Sequence, residues 1–163
     1  EKVGFQYAVD TPWVLEDFSL TIPKGTRIGI KGTTGSGKST LLDILMGLLE
    51  PQKGSISIDG IPLSSYECRK AWQHYISHVP QHIFLSAATI AENIAFGIPK
   101  KEINLQRVQE CANIAQIAAT IEAMPKGYET QVGERGIRLS GGQRQRIGIA
   151  RALYKNAKVF VIF

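Results

Sequence analysis

Gly32-Thr33-Thr34-Gly35-Ser36-Gly37-Lys38-Ser39, in one-letter code GTTGSGKS, fills the GxxxxGK[ST] pattern of a phosphate-binding loop. Before it, 27–31 (RIGIK) predicts a short strand; after it, 38–49 carries Leu41, Leu42, Leu45, Met46 and Leu49 at helical spacing. The motif therefore occupies a strand-to-helix turn. Gly32, Gly35 and Gly37 admit positive φ and close approach of the backbone, so successive N–H groups of Thr33, Thr34, Gly35, Ser36 and Gly37 can line one concavity around phosphate oxygens. The helix start adds unpaired N–H groups and the positive end of its dipole. Lys38 brings a cation to the β- and γ-phosphates, the Ser39 hydroxyl suits Mg²⁺, and Thr40 extends the contacts. A Gly-rich turn capped by Ser or Thr is the bland alternative, and nucleotide binding is the leading reading.

Length and composition narrow the class. At 163 residues with 44% hydrophobic residues, the chain is one domain by length, with enough apolar side chains for a core. No apolar run approaches the ~20 residues that span a bilayer, and the first residues lack the basic-then-apolar pattern of a signal peptide, so the chain itself is expected to be soluble. The net charge is +5, but Lys and Arg are scattered from Lys2 to Lys158 without a dense basic tract, which argues against nucleic acid. A phosphate ligand accounts for part of that excess. Cys68 and Cys111 have no paired spacing and read as two reduced thiols.

Along the chain, 3–22 is extended and suggests a small antiparallel layer that ends at the Pro23-Lys24-Gly25 turn. Residues 54–60 form a short alternating strand closed by Asp59-Gly60, and 75–79 a strand stopped by Pro80. Beyond Pro80 the period becomes helical over 88–96, 105–121 and 143–154, and 159–163 is an uninterrupted buried-strand candidate. His74, His78 and His82 recur every four residues, like ligands on one helix face, but the strand over 75–79 sets a metal site aside. Trp13 and Trp72 read as packing residues.

Leu139-Ser140-Gly141-Gly142-Gln143 precedes the helical run, which places Ser140 at the N-cap. About a hundred residues downstream of the phosphate loop, LSGGQRQRIGIARAL resembles the signature motif of ATP-binding cassette (ABC) ATPases. The resemblance implies that two such domains pair head to tail. Ser140, Gly141, Gly142 and Gln143 would then act in trans on ATP held by the other domain's loop, with Ser140 among the catalytic groups. Gln81, in His78-Val79-Pro80-Gln81, resembles the Q-loop glutamine, which contacts Mg²⁺ and the attacking water and senses the membrane part. Tyr7, in Phe5-Gln6-Tyr7, resembles the A-loop aromatic that stacks on adenine. Alone, Tyr7 is an ordinary strand aromatic and Gln81 a polar loop residue; their places relative to Lys38 give them these roles. Residues 130–136, from Thr130 through Glu134 and Arg135 to Gly136, resemble the TxVGERG X-loop. Residues 81–97, from Gln81 to Gly97, resemble the stretch facing the coupling helices of a transmembrane domain. Both are typical of exporter-type cassettes.

The fold so implied is α/β: a P-loop NTPase (RecA-like) core with an antiparallel β subdomain and an α-helical signature subdomain. Residues 1–80 would hold the β subdomain and loop core, 81–139 the helical subdomain, and 140–163 the signature helix and Walker B strand. The cofactors implied are ATP and Mg²⁺, the latter at Ser39 and Gln81. The partners implied are a second cassette and a transmembrane domain, and the location is the cytoplasmic face of a membrane. In the family an Asp and a Glu follow the Walker B strand at once. This chain ends at Phe163 before either, so the general base lies outside it. The resemblance therefore implies a fragment of a longer cassette, with a gap in its sheet, weak ATP binding and negligible hydrolysis on its own. A soluble cassette acting on nucleic acid and a non-hydrolytic regulatory module are the alternatives. The compact span between Gln81 and Ser140 speaks against the first.

Overall fold

The computed structural model describes residues 1–133, 136 and 139–163. They form two compact units, Glu1–His74 and Tyr75–Phe163.

In the first unit every residue of β1 (Val3–Phe5) is buried, and the strand pairs antiparallel with β2 (Leu15–Phe18) through Val3 opposite Phe18 and Phe5 opposite Leu15. This is the small antiparallel layer expected for 3–22, with the strands shorter than the alternation suggested. Helix α1 (Lys38–Leu45) lays Leu41 and Ile44 on Val3, Phe5 and Leu15, which makes the core of the unit. The helix stops at Leu45, not at Leu49. Gly47 turns to φ 69°, its N–H bonds the Ile44 carbonyl at 3.0 Å and the Leu48 N–H bonds the Asp43 carbonyl at 2.8 Å, a left-handed closure that consumes the last carbonyls. A two-stranded hairpin follows, β3 (Ser57–Ile58) and β4 (Ile61–Pro62), turned by Asp59 and Gly60 at φ 49° and 82°. Helix α2 (Tyr66–His74) was not anticipated from the pattern; it buries none of its residues, and instead Trp72 Nε1 donates to the Leu45 carbonyl at 2.8 Å and Gln73 Nε2 to the Gly47 carbonyl at 3.0 Å.

The strand expected over 27–31 is not formed. A strand is stabilised by a ladder partner, and among the described residues none pairs with this segment, whose Ile28 and Ile30 are exposed.

In the second unit β5 (Ile76–Val79) pairs in parallel register with β6 (Val159–Ile162), Ile76 opposite Val159 and Val79 opposite Ile162. The fully buried strand expected at 159–163 is instead half-buried: Val159 and Val161 are partly covered while Phe160 and Ile162 are exposed, because β5 is its one strand partner among the described residues. The helical layer consists of α3 (Ile90–Ile94), α4 (Leu105–Ile114), α5 (Ala118–Glu122) and α6 (Gly141–Tyr154). Its core joins Leu85, Ile90, Ile94, Val108, Ile117, Ile121, Val132 and Ile147. The single helical run read over 105–121 is thus two helices. Gln116 adopts φ 58°, with its N–H on the Asn113 carbonyl and the Ile117 N–H on the Ala112 carbonyl, the same closure that ends α1. His74 ends α2, His78 lies in β5 and His82 follows Pro80, so the four-residue spacing does not put them on one helix face.

Candidate nucleotide-binding site

Within the first unit, the loop 32–37 is shaped by its glycines. Gly35 and Gly37 stand at φ 83° and 82°, and a Cβ on Gly32 would come within 2.5 Å of the Ser36 hydroxyl. Ser36 N–H closes the turn on the Thr33 carbonyl at 3.2 Å. The first intrahelical bond of α1 runs from Leu41 N–H to the Gly37 carbonyl, so the amides of Lys38, Ser39 and Thr40 precede the helical ladder and face outward as donors. The Lys38 ammonium lies over the same loop, donating to the Gly32 carbonyl at 2.9 Å and the Thr33 carbonyl at 2.6 Å, with the Ser36 hydroxyl at 3.5 Å. Among the described residues Lys38 makes no ion pair, so its charge has only neutral acceptors. A cation and a fan of amides around an open loop suit a polyphosphate, whose oxygens replace the carbonyls at Lys38. Thr33 and Thr34 are exposed along the loop, and nothing lies within 4 Å of a Cβ placed on Gly35.

Tyr7 stands beside the same helix start. Its hydroxyl shares a hydrogen bond of 2.9 Å with Thr40 Oγ1, its ring stands edge-on to Phe5 with centroids 5.0 Å apart, and it remains 64% exposed. The ring thus stands beside the start of α1 with surface free for stacking. Ser39 is exposed in the first turn of α1. Among the described residues no cluster of His, Cys, Asp and Glu could hold a metal by itself. A Ser39 hydroxyl fits Mg²⁺, which commonly takes one or two protein oxygens and completes its shell with phosphate and water.

The second unit carries the other predicted residues. Gln81 is exposed just past the carboxyl end of β5, after Pro80, the end of a parallel strand where ligands of α/β folds bind. Ser140 is the N-cap of α6, as expected: its hydroxyl accepts from Gln143 N–H at 3.2 Å and its own N–H donates to Gln143 Oε1 at 2.8 Å. The Gln143 side chain is thereby engaged in holding the helix start. Gly141 and Gly142 form the exposed first turn; a Cβ on Gly142 would meet nothing within 4 Å, and one on Gly141 only the tip of Arg144 at 3.9 Å.

Residues 88–90 of the stretch 81–97 also meet 130–132 of the stretch 130–136. Ile90 N–H bonds the Thr130 carbonyl at 3.0 Å and Val132 N–H bonds the Ala88 carbonyl at 3.2 Å, around an isolated bridge of Thr89 with Gln131. Thr89 caps α3 through a reciprocal pair with Glu92, whose carboxyl is held below the usual carboxylate range first by the Thr89 N–H and then by its hydroxyl. Phe84 and Phe96 are exposed on the stretch 81–97. Glu134 and Arg135 lie outside the described residues.

Sequence reading missed a part-buried polar knot in this unit. Arg151 donates from Nε to the Asn93 carbonyl at 2.8 Å, from one terminal nitrogen to the Phe84 carbonyl at 2.9 Å and from the other to Asn93 Oδ1 at 3.2 Å. Its guanidinium also lies over the Phe96 ring at 4.7 Å. Asn93 is fully buried, and burial pushes the Arg151 guanidinium down from its usual pKa. The available signal was an Arg inside the otherwise apolar run 147–153 and an Asn among the apolar residues Ile90, Ala91, Ile94, Ala95 and Phe96.

Comparison with known proteins agrees with this geometry. The family model described as ABC transporter matches residues 15–162. The chain is 46% identical over 162 residues to an ATP-dependent lipid A-core flippase of Saccharophagus degradans, covering 99% of this chain and 27% of that protein. It is 42% identical over 151 residues to the mitochondrial ATP-binding cassette sub-family B member 10 of Mus musculus, covering 91% of this chain and 21% of that protein. A solved bacterial Atm1-family ABC exporter with ATP bound superposes with a TM-score of 0.91 at 36% identity, over 99% of this chain and 28% of the other. The chain thus spans about a quarter of the length of these relatives. With a P-loop over 32–39, a capped SGGQ helix and a family match from residue 15 to 162, the chain belongs to the ABC transporter family and has the fold of its P-loop ATPase domain.

Proposed function

We propose that this chain is the ATP-binding cassette of an exporter-type transporter, in which ATP-driven pairing with a second cassette, followed by hydrolysis, moves transmembrane helices. The observation that carries the reading is the Lys38 ammonium resting on the Gly32 and Thr33 carbonyls beside the unladdered amides of α1, a cationic cradle for a polyphosphate tail. Lys38 binds the β- and γ-phosphates, and the Tyr7 ring takes the adenine. Residues 33–40 (Thr33, Thr34, Gly35, Ser36, Gly37, Lys38, Ser39 and Thr40) form the rest of the cradle. Ser39 would ligate Mg²⁺, which would supply charge neutralisation at the phosphates, and Gln81 would take the role its Q-loop resemblance implies.

Ser140, Gly141 and Gly142 face the nucleotide of the second cassette. Support comes from the empty space around Gly142: nothing in its own chain requires a glycine there, which fits close approach by a group from outside. The paired stretches 81–97 and 130–136, with Phe84 and Phe96 exposed, form the docking face for the transmembrane domain. Among the described residues no helix is long and apolar enough to cross a membrane. In this reading the cassette sits at the cytoplasmic face of the membrane. The relatives named as a lipid A-core flippase and an Atm1-family exporter favour export over action on nucleic acid.

Lys38→Ala in the full-length protein tests the reading. Loss of about two charge-assisted hydrogen bonds, on the order of 3 kcal/mol together, raises the Kd for ATP by roughly 100-fold and abolishes turnover. Unchanged affinity and turnover would refute it.

A further inference from the structure

We infer that Gln52, an exposed residue outside the phosphate loop, is a positioning residue for the nucleobase end of the site: its side-chain amide clamps the main chain of Gln6 and so sets where the Tyr7 ring stands. This rests on the reading of Tyr7 as the base-stacking ring.

The clamp is two-sided. Gln6 N–H donates to Gln52 Oε1 at 3.1 Å, and Gln52 Nε2 donates back to the Gln6 carbonyl at 2.7 Å. A primary amide offers an acceptor and a donor side by side, so it can replace a neighbouring strand across one residue. The reciprocal pattern also fixes its orientation, because a flipped amide would set donor against donor and acceptor against acceptor. Gln52 is itself anchored through the backbone. Its N–H and that of Lys53 bond the Gly4 carbonyl at 3.0 and 3.2 Å, and Gly4 N–H bonds the Lys53 carbonyl at 3.0 Å. The clamp therefore has a rigid base on β1.

Its position on the chain makes it matter. The Val14 N–H to Phe5 carbonyl bond, at 2.8 Å, ties β1 to its neighbour at Phe5. Beyond Tyr7 the chain turns, among the described residues, on local hydrogen bonds: Thr11 N–H to the Ala8 carbonyl at 3.0 Å, Ala8 N–H to the Thr11 hydroxyl at 3.1 Å and Gln6 Nε2 to the Val9 carbonyl at 3.2 Å, with Val9 87% exposed. Gln6 is the link between the ladder and this loop, and Gln52 holds both of its main-chain groups. The Tyr7 ring is then fixed by the clamp at its backbone, by Phe5 at its edge and by the Thr40 hydroxyl at its tip. Without the clamp the backbone of Tyr7 gains freedom that adenine must remove on binding.

The test is equilibrium binding of ATP and of inorganic tripolyphosphate to the full-length protein carrying Gln52→Ala, Gln52→Glu, Tyr7→Ala and the Gln52→Ala/Tyr7→Ala pair. Tripolyphosphate reads the loop without the base. Gln52→Ala is expected to raise the Kd for ATP about three- to ten-fold, a part of what stacking one base on one ring provides, and to leave tripolyphosphate unchanged. Gln52→Glu keeps an acceptor for Gln6 N–H but sets a carboxylate oxygen against the Gln6 carbonyl, and behaves like Gln52→Ala. In the Tyr7→Ala background Gln52→Ala adds nothing. Unchanged ATP affinity in Gln52→Ala, equal losses for both ligands, or additive losses in the double variant overturn the inference. Lys38→Ala measured in parallel separates the failures. If it leaves tripolyphosphate binding intact, the nucleotide-site reading falls and the clamp's role with it; if it removes tripolyphosphate binding while Gln52→Ala spares ATP, only the clamp falls.

Discussion

Replacement of Arg151 by Met should loosen the joint between the signature helix and the stretch 81–97. Met has a similar length and no charge, so it removes three hydrogen bonds, to the Asn93 carbonyl, Asn93 Oδ1 and the Phe84 carbonyl, and the cation over Phe96. Each lost bond costs roughly 1 kcal/mol net, and the ring contact about another 0.5–1 kcal/mol. About 1 kcal/mol returns because the guanidinium no longer has to be held away from water. Asn93 Oδ1 keeps the Ser86 N–H at 3.0 Å and is not orphaned. The net loss is about 2–3 kcal/mol, equivalent to a ~30- to 150-fold rise in local opening. Hydrogen exchange of the full-length protein, read over 90–96 and 147–154, measures that opening directly. Arg151→Lys keeps the charge but not the planar fork that reaches several acceptors, so it should recover less than half of the protection. Exchange within about threefold of wild type in Arg151→Met would refute the assignment of the knot as the tie between these segments.

Gly142→Ala should leave the fold as stable as before or slightly more so, since the added Cβ meets nothing and Ala is the better helix former. ATP turnover in the full-length protein should nevertheless fall about ten-fold or more if the glycine faces a partner's phosphate; wild-type turnover would sink the trans contact. The depressed Glu92 pKa gives a signed pH effect. Its contribution is complete above the usual Glu value and is lost as pH falls through the lower folded value, so stability declines in acid. Glu92→Gln keeps an acceptor for the Thr89 N–H but does not titrate, and its acid unfolding curve should be flatter; parallel curves for the two proteins would contradict this cause.

The phosphate loop, the Ser140 cap and the Asp59-Gly60 turn were legible because each is decided within three or four residues. A glycine that reaches positive φ, a hydroxyl three residues before the amide it accepts from, and a helix whose first amides are unpaired need no knowledge of the rest of the chain. The family resemblance rested on these same local patterns. Local signals failed where the outcome depended on partners far along the chain. Segment 27–31 has strand residues but no ladder among the described residues, and the apolar run 105–121 splits at Gln116, which ordinarily avoids the left-handed region it occupies here. The supports of the site were invisible for the same reason. Tyr7 meets Thr40 across 33 residues, Gln6 meets Gln52 across 46 and Arg151 meets Asn93 across 58. Side-chain types such as Gln, Asn and Arg are at home on any surface. Only the folded path of the chain brings each of these within hydrogen-bond distance of its partner, and so tertiary structure, not the motif, decides how the motif is held.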